Sequence, residues 1–159
     1  MAILLPLHVA ISVVGLGSGF VVLAGLMRGQ RLDGWTALFL GSTLLTSLSG
    51  FPLPADHLMP SHIVGVISVV VLVVAIVARY PRGLAGPWRS IYVVTALIAL
   101  YLNVFVAVVQ AFLKVPALTA LAPTQSEPPF AVAQLIVLAL FVALTVAAAR
   151  RFRSTLVLR

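Results

Sequence analysis

The sequence predicts an all-α fold, namely a polytopic membrane protein built as one bundle of five transmembrane helices. Three observations predict this class: 62% of the residues are hydrophobic, only 8% are charged, and the apolar residues form five long runs. Soluble domains carry charge on about 25% of their residues. A soluble enzyme, a disordered chain and a nucleic-acid-binding protein are therefore excluded. The absence of cysteine also excludes disulfides and thiolate metal sites.

The first three predicted spans are runs of about 20 apolar residues, the length that crosses a bilayer core about 30 Å thick. The first covers residues 3–27 and ends in a charged segment. The second covers residues 34–51 and ends at Pro52, and the third covers residues 61–78 and ends before Arg79. Proline and arginine are expected at these ends because neither is tolerated well within an apolar helix.

The fourth and fifth predicted spans complete the chain. The fourth covers residues 89–113 and ends at Lys114, and the fifth covers residues 130–149 and ends before Arg150. The segments between and after the spans are too short to fold by themselves, so residues 1–159 are predicted to form a single transmembrane domain.

The basic residues predict the orientation of the bundle. Five spans place the two termini on opposite sides, and nine of the ten basic residues then share one side, with Lys114 on the other. Lysine and arginine in short loops mark the cytoplasmic side. We therefore expect a bacterial inner-membrane protein with a periplasmic N-terminus and a cytoplasmic C-terminus, whose arginines also contact anionic lipid. The nine residues are Arg28, Arg31, Arg79, Arg82, Arg89, Arg150, Arg151, Arg153 and Arg159.

Most other polar groups gather toward the periplasmic side. Polar residues within membrane spans usually face the bundle interior and often mark function. His8 lies a short way into the first span, and His62 lies at the start of the third. We therefore predict a histidine-centred site in the outer leaflet. Its candidate cofactor-binding residues are His8, His62, Asn103, Gln110, Lys114 and Gln134.

Helical spacing predicts a packed face on the first helix. His8, Gly15 and Gly19 lie at i, i+7 and i+11, so they share one side of the helix. The two glycines form a G-x-x-x-G pair, which lets helices approach closely in lipid. Gly65 belongs to a similar small-residue face on the third helix. These three glycines are predicted to serve helix packing.

The fourth helix carries a polar stripe. Asn103, Gln110 and Lys114 follow the same helical spacing. An amide near mid-membrane, a second amide above it and an ammonium group at the surface predict a graded path into the bundle. The alternative interpretation is that the amides are interhelical hydrogen-bonding groups and that Lys114 extends to the surface or pairs with Glu127.

Two redox cofactors fit the predicted site. Haem b could be held by the imidazoles of His8 and His62 from different helices, with clearance at Gly15 and Gly65 and a propionate at Lys114. A quinone could instead accept hydrogen bonds from imidazole, amide and ammonium groups. The sequence thus predicts a haem b- or quinone-binding redox component.

A divalent metal is a weaker alternative. Asp56, His57 and Met59 offer carboxylate, imidazole and thioether ligands close to His62. Imidazole suits copper and zinc, and thioether favours Cu(I). The spacing is not a recognised coordination motif.

A different class of function fits the same composition. A small polytopic protein without a soluble domain is often an accessory or assembly subunit, whose polar face docks other membrane proteins or a second copy of itself. A homo-oligomeric channel lined by Asn103 and Gln110 is a less favoured alternative. The polar loop between the fourth and fifth spans would then be a connector, a lid or a docking surface.

Overall fold

The protein is helical throughout the part that the structure describes. A computed structural model describes the backbone of residues 3–50 and 60–157, and the side chains of residues 3–50 and 63–152. No strand occurs in these ranges. The helices are α1 (Leu4–Met27), α2 (Asp33–Gly50), α3 (Pro60–Arg79), α4 (Trp88–Lys114), α5 (Pro116–Leu121) and α6 (Pro128–Val157).

Each predicted span coincides with one of the five long helices. The observed ends lie within two residues of the predicted ends, except at the C-terminus, where α6 continues to Val157 instead of ending at residue 149. The segment that follows residue 149 contains neither glycine nor proline, and arginine is a good helix former, so nothing stops the helix there. The loop after Lys114 also contains a short helix, α5, which begins at Pro116.

Three of the helices are long and apolar enough to cross a membrane by length and composition: α1, α4 and the Pro128–Phe152 part of α6. The apolar part of α3, Ile63–Arg79, is shorter. Helix α2 has 18 residues and carries six serines and threonines, which lower its hydropathy. The fold is therefore that of an all-helical protein with three apolar helices suited to a lipid bilayer.

Two tight turns join the helices at one end of the bundle. Gly29 ends α1 with φ at 70°, and the amide of Gln30 reaches back 2.8 Å to the carbonyl of Gly25. Gly83 and Gly86 take φ values of 56° and 52° between α3 and α4. Glycine suits these positions because it has no Cβ to oppose positive φ. We call this end the arginine end, and the opposite end, which holds His8, the histidine end.

Helix α4 is the centre of the bundle, because it contacts α1, α2, α3, α5 and α6. Its buried side chains Tyr92, Leu97 and Leu100 pack with Phe39 of α2 and Phe152 of α6. The core therefore runs along α4, and the polar groups discussed below lie around it.

Candidate functional site

Helix α2 connects the polar side chains of the other helices. Apart from the contact of Thr36 with Tyr92 at the arginine end, its hydroxyl groups make four side-chain hydrogen bonds to other helices, two to α1, one to α3 and one to α4. Each hydroxyl thereby finds a polar partner away from lipid, where an unpaired group would be costly. The four bonds are Ser49–His8 (2.8 Å), Thr46–Ser12 (3.4 Å), Ser47–Ser68 (3.1 Å) and Thr43–Asn103 (3.1 Å).

His8 is the titratable member of this network. Its half-buried imidazole lies near the beginning of α1, with Nδ1 2.8 Å from the hydroxyl oxygen of Ser49. Gly50 lies beside the ring, and a Cβ placed there would lie 3.6 Å from His8 Cε1, in ordinary van der Waals contact. The hydroxyl of Ser12, one turn later in α1, donates to the His8 carbonyl oxygen at 2.7 Å. The His8 side chain therefore contacts α2, and its backbone carbonyl is bonded within α1.

Either tautomer of the neutral imidazole fits the contact with Ser49. In one of them, the Ser49 hydroxyl donates its single proton to the carbonyl oxygen of Thr46, 3.2 Å away. Ser49 Oγ then accepts a hydrogen bond from His8 Nδ1–H, and both contacts are satisfied. In the other tautomer Ser49 would donate to His8, as an activated serine nucleophile does, but would lose its bond to Thr46. The first arrangement leaves the lone pair on Nε2 of His8.

This geometry makes His8 a potential ligand. A neutral imidazole whose Nδ1–H is held by a neighbouring oxygen presents Nε2 in a fixed orientation, as histidines that bind metals or haem iron do. The same lone pair could accept a proton from a hydroxyl group of a bound molecule.

The glycines of α1 lie against the neighbouring helices. A Cβ on Gly15 would be 3.2 Å from the hydroxyl oxygens of both Ser42 and Thr43. A Cβ on Gly19 would be 2.5 Å from a methyl group of Leu100 and 2.9 Å from the ring of Phe39. Both glycines are buried, and they allow α1 to approach α2 and α4 at van der Waals distance.

Asn103 and Gln134 lie at two different interfaces between helices, α4 with α2 and α6 with α4. Asn103 donates to Thr43 of α2, as described above. Gln134 of α6 is buried, and its Nε2 donates to the carbonyl oxygen of Phe105 on α4 at 3.2 Å. Its Oε1 is buried without a hydrogen-bond partner. Each amide therefore bonds a neighbouring helix, and neither makes a recorded hydrogen bond to His8 among the described residues.

The inward polar path predicted on α4 does not form. Gln110 and Lys114 are both exposed on the outside of the bundle, and Asn103 alone of the stripe bonds another helix. Helical spacing correctly placed them along one side of α4. The same side of α4 faces α2 at Asn103 but is exposed at Gln110 and Lys114, because α2 does not cover α4 at the level of the last two residues.

Other predicted residues lie wholly or partly outside the described residues. His62 falls in the first turn of α3, but its side chain is not among those described, and Gly65 is half-buried one turn later. The proposed metal ligands Asp56, His57 and Met59 lie outside the described residues. Among the side chains of residues 3–50 and 63–152, no group of three or more histidines, aspartates or glutamates could hold a metal ion.

The loop before α6 is closed by its own hydrogen bonds. Glu127 accepts bonds from the amide and hydroxyl of Thr124 and from the amide of Ser126, and no ion pair with Lys114 occurs among the described residues. Desolvation raises the pKa of the Glu127 carboxyl, but these hydrogen bonds outweigh it and hold the pKa below its ordinary value. The Gln125 side chain donates to the carbonyl oxygen of Val109 at 2.9 Å, so the loop is attached to α4.

The arginine end contains a buried charge, that of Arg79, although the sequence predicted this residue as one of nine cytoplasmic arginines in contact with anionic lipid. The side chain of Arg79 is 1% exposed and pairs with Asp33, whose side chain is 75% exposed. Its Nη2 also donates to the carbonyl oxygen of Arg31 at 3.1 Å, and its guanidinium lies 5.1 Å from the centre of the Tyr92 ring. The Tyr92 hydroxyl in turn donates to Thr36 at 3.4 Å. Arg79 therefore joins the α1–α2 turn, α2, α3 and α4.

One signal in the sequence points to this cluster. Asp33 is the single acidic residue on the predicted cytoplasmic side, among nine arginines, and it begins α2. An isolated acid at a helix end is a natural partner for an arginine at the end of the next helix. The sequence alone does not indicate which arginine it pairs with.

The chain was compared with protein-family models, curated proteins and solved structures, and no match was found in any of the three comparisons.

Proposed function

We propose that this protein is a small redox component of the bacterial inner membrane that binds haem b through His8. The five long helices span the bilayer, with the N-terminus in the periplasm and the histidine end in the outer leaflet. One observation carries the proposal: Ser49 Oγ lies 2.8 Å from Nδ1 of His8, where it can accept Nδ1–H and so leave the Nε2 lone pair as a ligand. His62, at the start of α3, supplies the second imidazole.

The two tautomers of His8 suit different ligands. Haem iron requires an unprotonated nitrogen, which His8 Nε2 provides when Ser49 accepts Nδ1–H. An oxidised quinone has only acceptor oxygens, so it would require a donor and the opposite tautomer. A reduced quinol could donate a hydroxyl proton to Nε2. With Ser49 accepting Nδ1–H, as we propose, His8 suits haem b first and a quinol second.

Absorption spectroscopy tests this proposal. We expect the protein, expressed with haem supplied and purified in mild detergent, to show a Soret band and sharper bands after reduction with dithionite. His8→Ala and His62→Ala should lose the spectrum while keeping the helical circular dichroism signal. Ser49→Ala should weaken haem binding by about 10-fold or more, because it removes the group that orients the ligand.

Thr95→Ala is the matched control for Ser49→Ala. Its hydroxyl bonds to the Ile91 carbonyl within α4, at 2.7 Å, and makes no recorded bond to His8. This variant should keep the full spectrum. A featureless spectrum of the parent protein, or an unchanged spectrum in His8→Ala, would overturn the haem proposal.

The proposed orientation can be tested directly because the chain has no cysteine. Ala120 in α5 and Ala85 in the α3–α4 turn are both exposed. In intact cells with a permeable outer membrane, a membrane-impermeant maleimide should label Ala120→Cys and should label Ala85→Cys only after lysis. The reverse pattern would place the arginine end outside and would contradict the positive-inside argument.

We propose an accessory or assembly subunit as the second candidate function. The exposed amide of Gln110, one turn from the exposed Lys114, favours it, because a polar group on the outside of a membrane helix is stabilised by a partner. Gln110→Leu should then release a co-purifying membrane protein and leave any haem spectrum unchanged. Co-purification that survives this change would argue against docking at Gln110.

A further inference from the structure

We infer that the groove between α4 and α6 at the arginine end binds an anionic phospholipid. The groove is open to the outside of the bundle and has a volume of about 300 Å³. It lies between two helices that are long and apolar enough to cross a membrane. Its lining residues are Ser90, Val94, Thr145, Val146, Ala149 and Arg150.

The charged residue of the lining, Arg150, lies at the end of the groove, and the deeper lining consists of two valines and Thr145, much as a phospholipid carries its charge in the headgroup. Ser90 lies in the first turn of α4, and Arg150 directly follows three alanines of α6. Val94 and Val146 each lie four residues deeper on the same helices, which is about 6 Å along a helix axis. A phosphate at Arg150 would therefore place its acyl chain against the two valines.

Charge complementarity selects an anionic lipid. Arg150 is exposed, and the ion pairs among the described residues are those that Asp33 makes with Arg31 and Arg79. Arg150 thus has no carboxylate partner in the described part of the chain. Basic pockets between membrane helices on the cytoplasmic side are suited to anionic headgroups.

Every groove on a membrane protein contacts some lipid, so the specific claim is selectivity for negative charge at this position. It does not depend on haem binding at His8, which lies at the other end of the bundle. The full-length protein in detergent micelles should retain phosphatidylglycerol in preference to phosphatidylcholine when both are added and bound lipid is measured by native mass spectrometry. Inorganic phosphate should not displace the lipid, because it cannot use the apolar part of the groove.

Two variants separate charge from shape. Arg150→Gln should lower retention of phosphatidylglycerol about fivefold, the effect expected for one arginine near an anionic headgroup. Val146→Trp should fill the apolar part of the groove and lower retention of the lipid without changing any charge. Both variants should keep the parent circular dichroism spectrum, because Arg150 and Val146 are exposed.

Arg28→Gln is the matched control, since Arg28 is an exposed arginine at the same end but outside the groove. It should retain phosphatidylglycerol as the parent does. Equal losses in Arg28→Gln and Arg150→Gln would show general attraction of anionic lipid and overturn the inference. Unchanged retention in Val146→Trp, or displacement by inorganic phosphate, would also overturn it.

Discussion

Asp33→Asn should destabilise the protein more than Arg79→Met, although both changes break the same ion pair. The Arg79 side chain is 1% exposed, so losing the Asp33 charge leaves a buried guanidinium without a counter-charge. Breaking a buried pair in this way costs about 3 kcal/mol or more. Asn keeps the shape and an acceptor oxygen, so the change isolates the charge. The measurement is the free energy of unfolding from denaturant titration in detergent micelles.

Arg79→Met should cost less, about 1–2 kcal/mol, because the Asp33 left behind is 75% exposed and water can solvate it. The loss comes from the contact with the Tyr92 ring and from the hydrogen bond to the Arg31 carbonyl. The double variant should be close in stability to Arg79→Met alone. Once the buried cation is gone, removing the Asp33 charge has little further effect.

Arg31→Met provides the control for this series. Arg31 also pairs with Asp33, at 3.6 Å, but its side chain is 49% exposed. A pair of this kind contributes about 0–1 kcal/mol because water and salt screen it. If Asp33→Asn and Arg79→Met lower the free energy of unfolding equally, or if their effects add in the double variant, the burial of Arg79 does not determine the contribution of this ion pair to stability.

The helix ends could be predicted from the sequence because apolar runs stop where a local signal stops them. The α1–α2 and α3–α4 turns contain glycines with positive φ, and glycine at the end of an apolar run indicates a turn. The end of α6 was missed because arginines alone do not break a helix. Charge ended the predicted membrane span, but it did not end the hydrogen-bonded helix, which continues to Val157.

The contacts between helices could not be predicted in the same way. His8 and Ser49 are separated by 41 residues, and their hydrogen bond depends on the rotation of α2 about its axis. Helical spacing shows that Asn103 and Gln110 lie along one side of α4, but not which neighbour covers that side at each level. For the same reason an arginine at a helix end looks identical in sequence whether it faces water or, like Arg79, a neighbouring helix.

Gly19→Ala should also lower stability, whereas Gly17→Ala, two residues away on the same helix, should not. A Cβ on Gly19 would lie 2.5 Å from a Leu100 methyl group and 2.9 Å from the Phe39 ring, so one of these must move. Leu100 and Phe39 are 0% and 1% exposed, which leaves little space for them to move into. Overpacking of this kind costs about 1–3 kcal/mol.

At Gly17 a Cβ would meet nothing within 4 Å, and alanine should stabilise α1 by about 0.5–1 kcal/mol because glycine loses more backbone entropy on folding. The two variants change the same atoms in the same helix, so the difference in their unfolding free energies measures how closely α1 approaches α2 and α4. Comparable stability of the two variants would mean that α1 does not pack through Gly19. In that case Gly19→Leu should also fold as well as Gly17→Leu. If α1 packs closely through Gly19, the leucine side chain in Gly19→Leu should separate α1 from α2 and α4 and prevent folding.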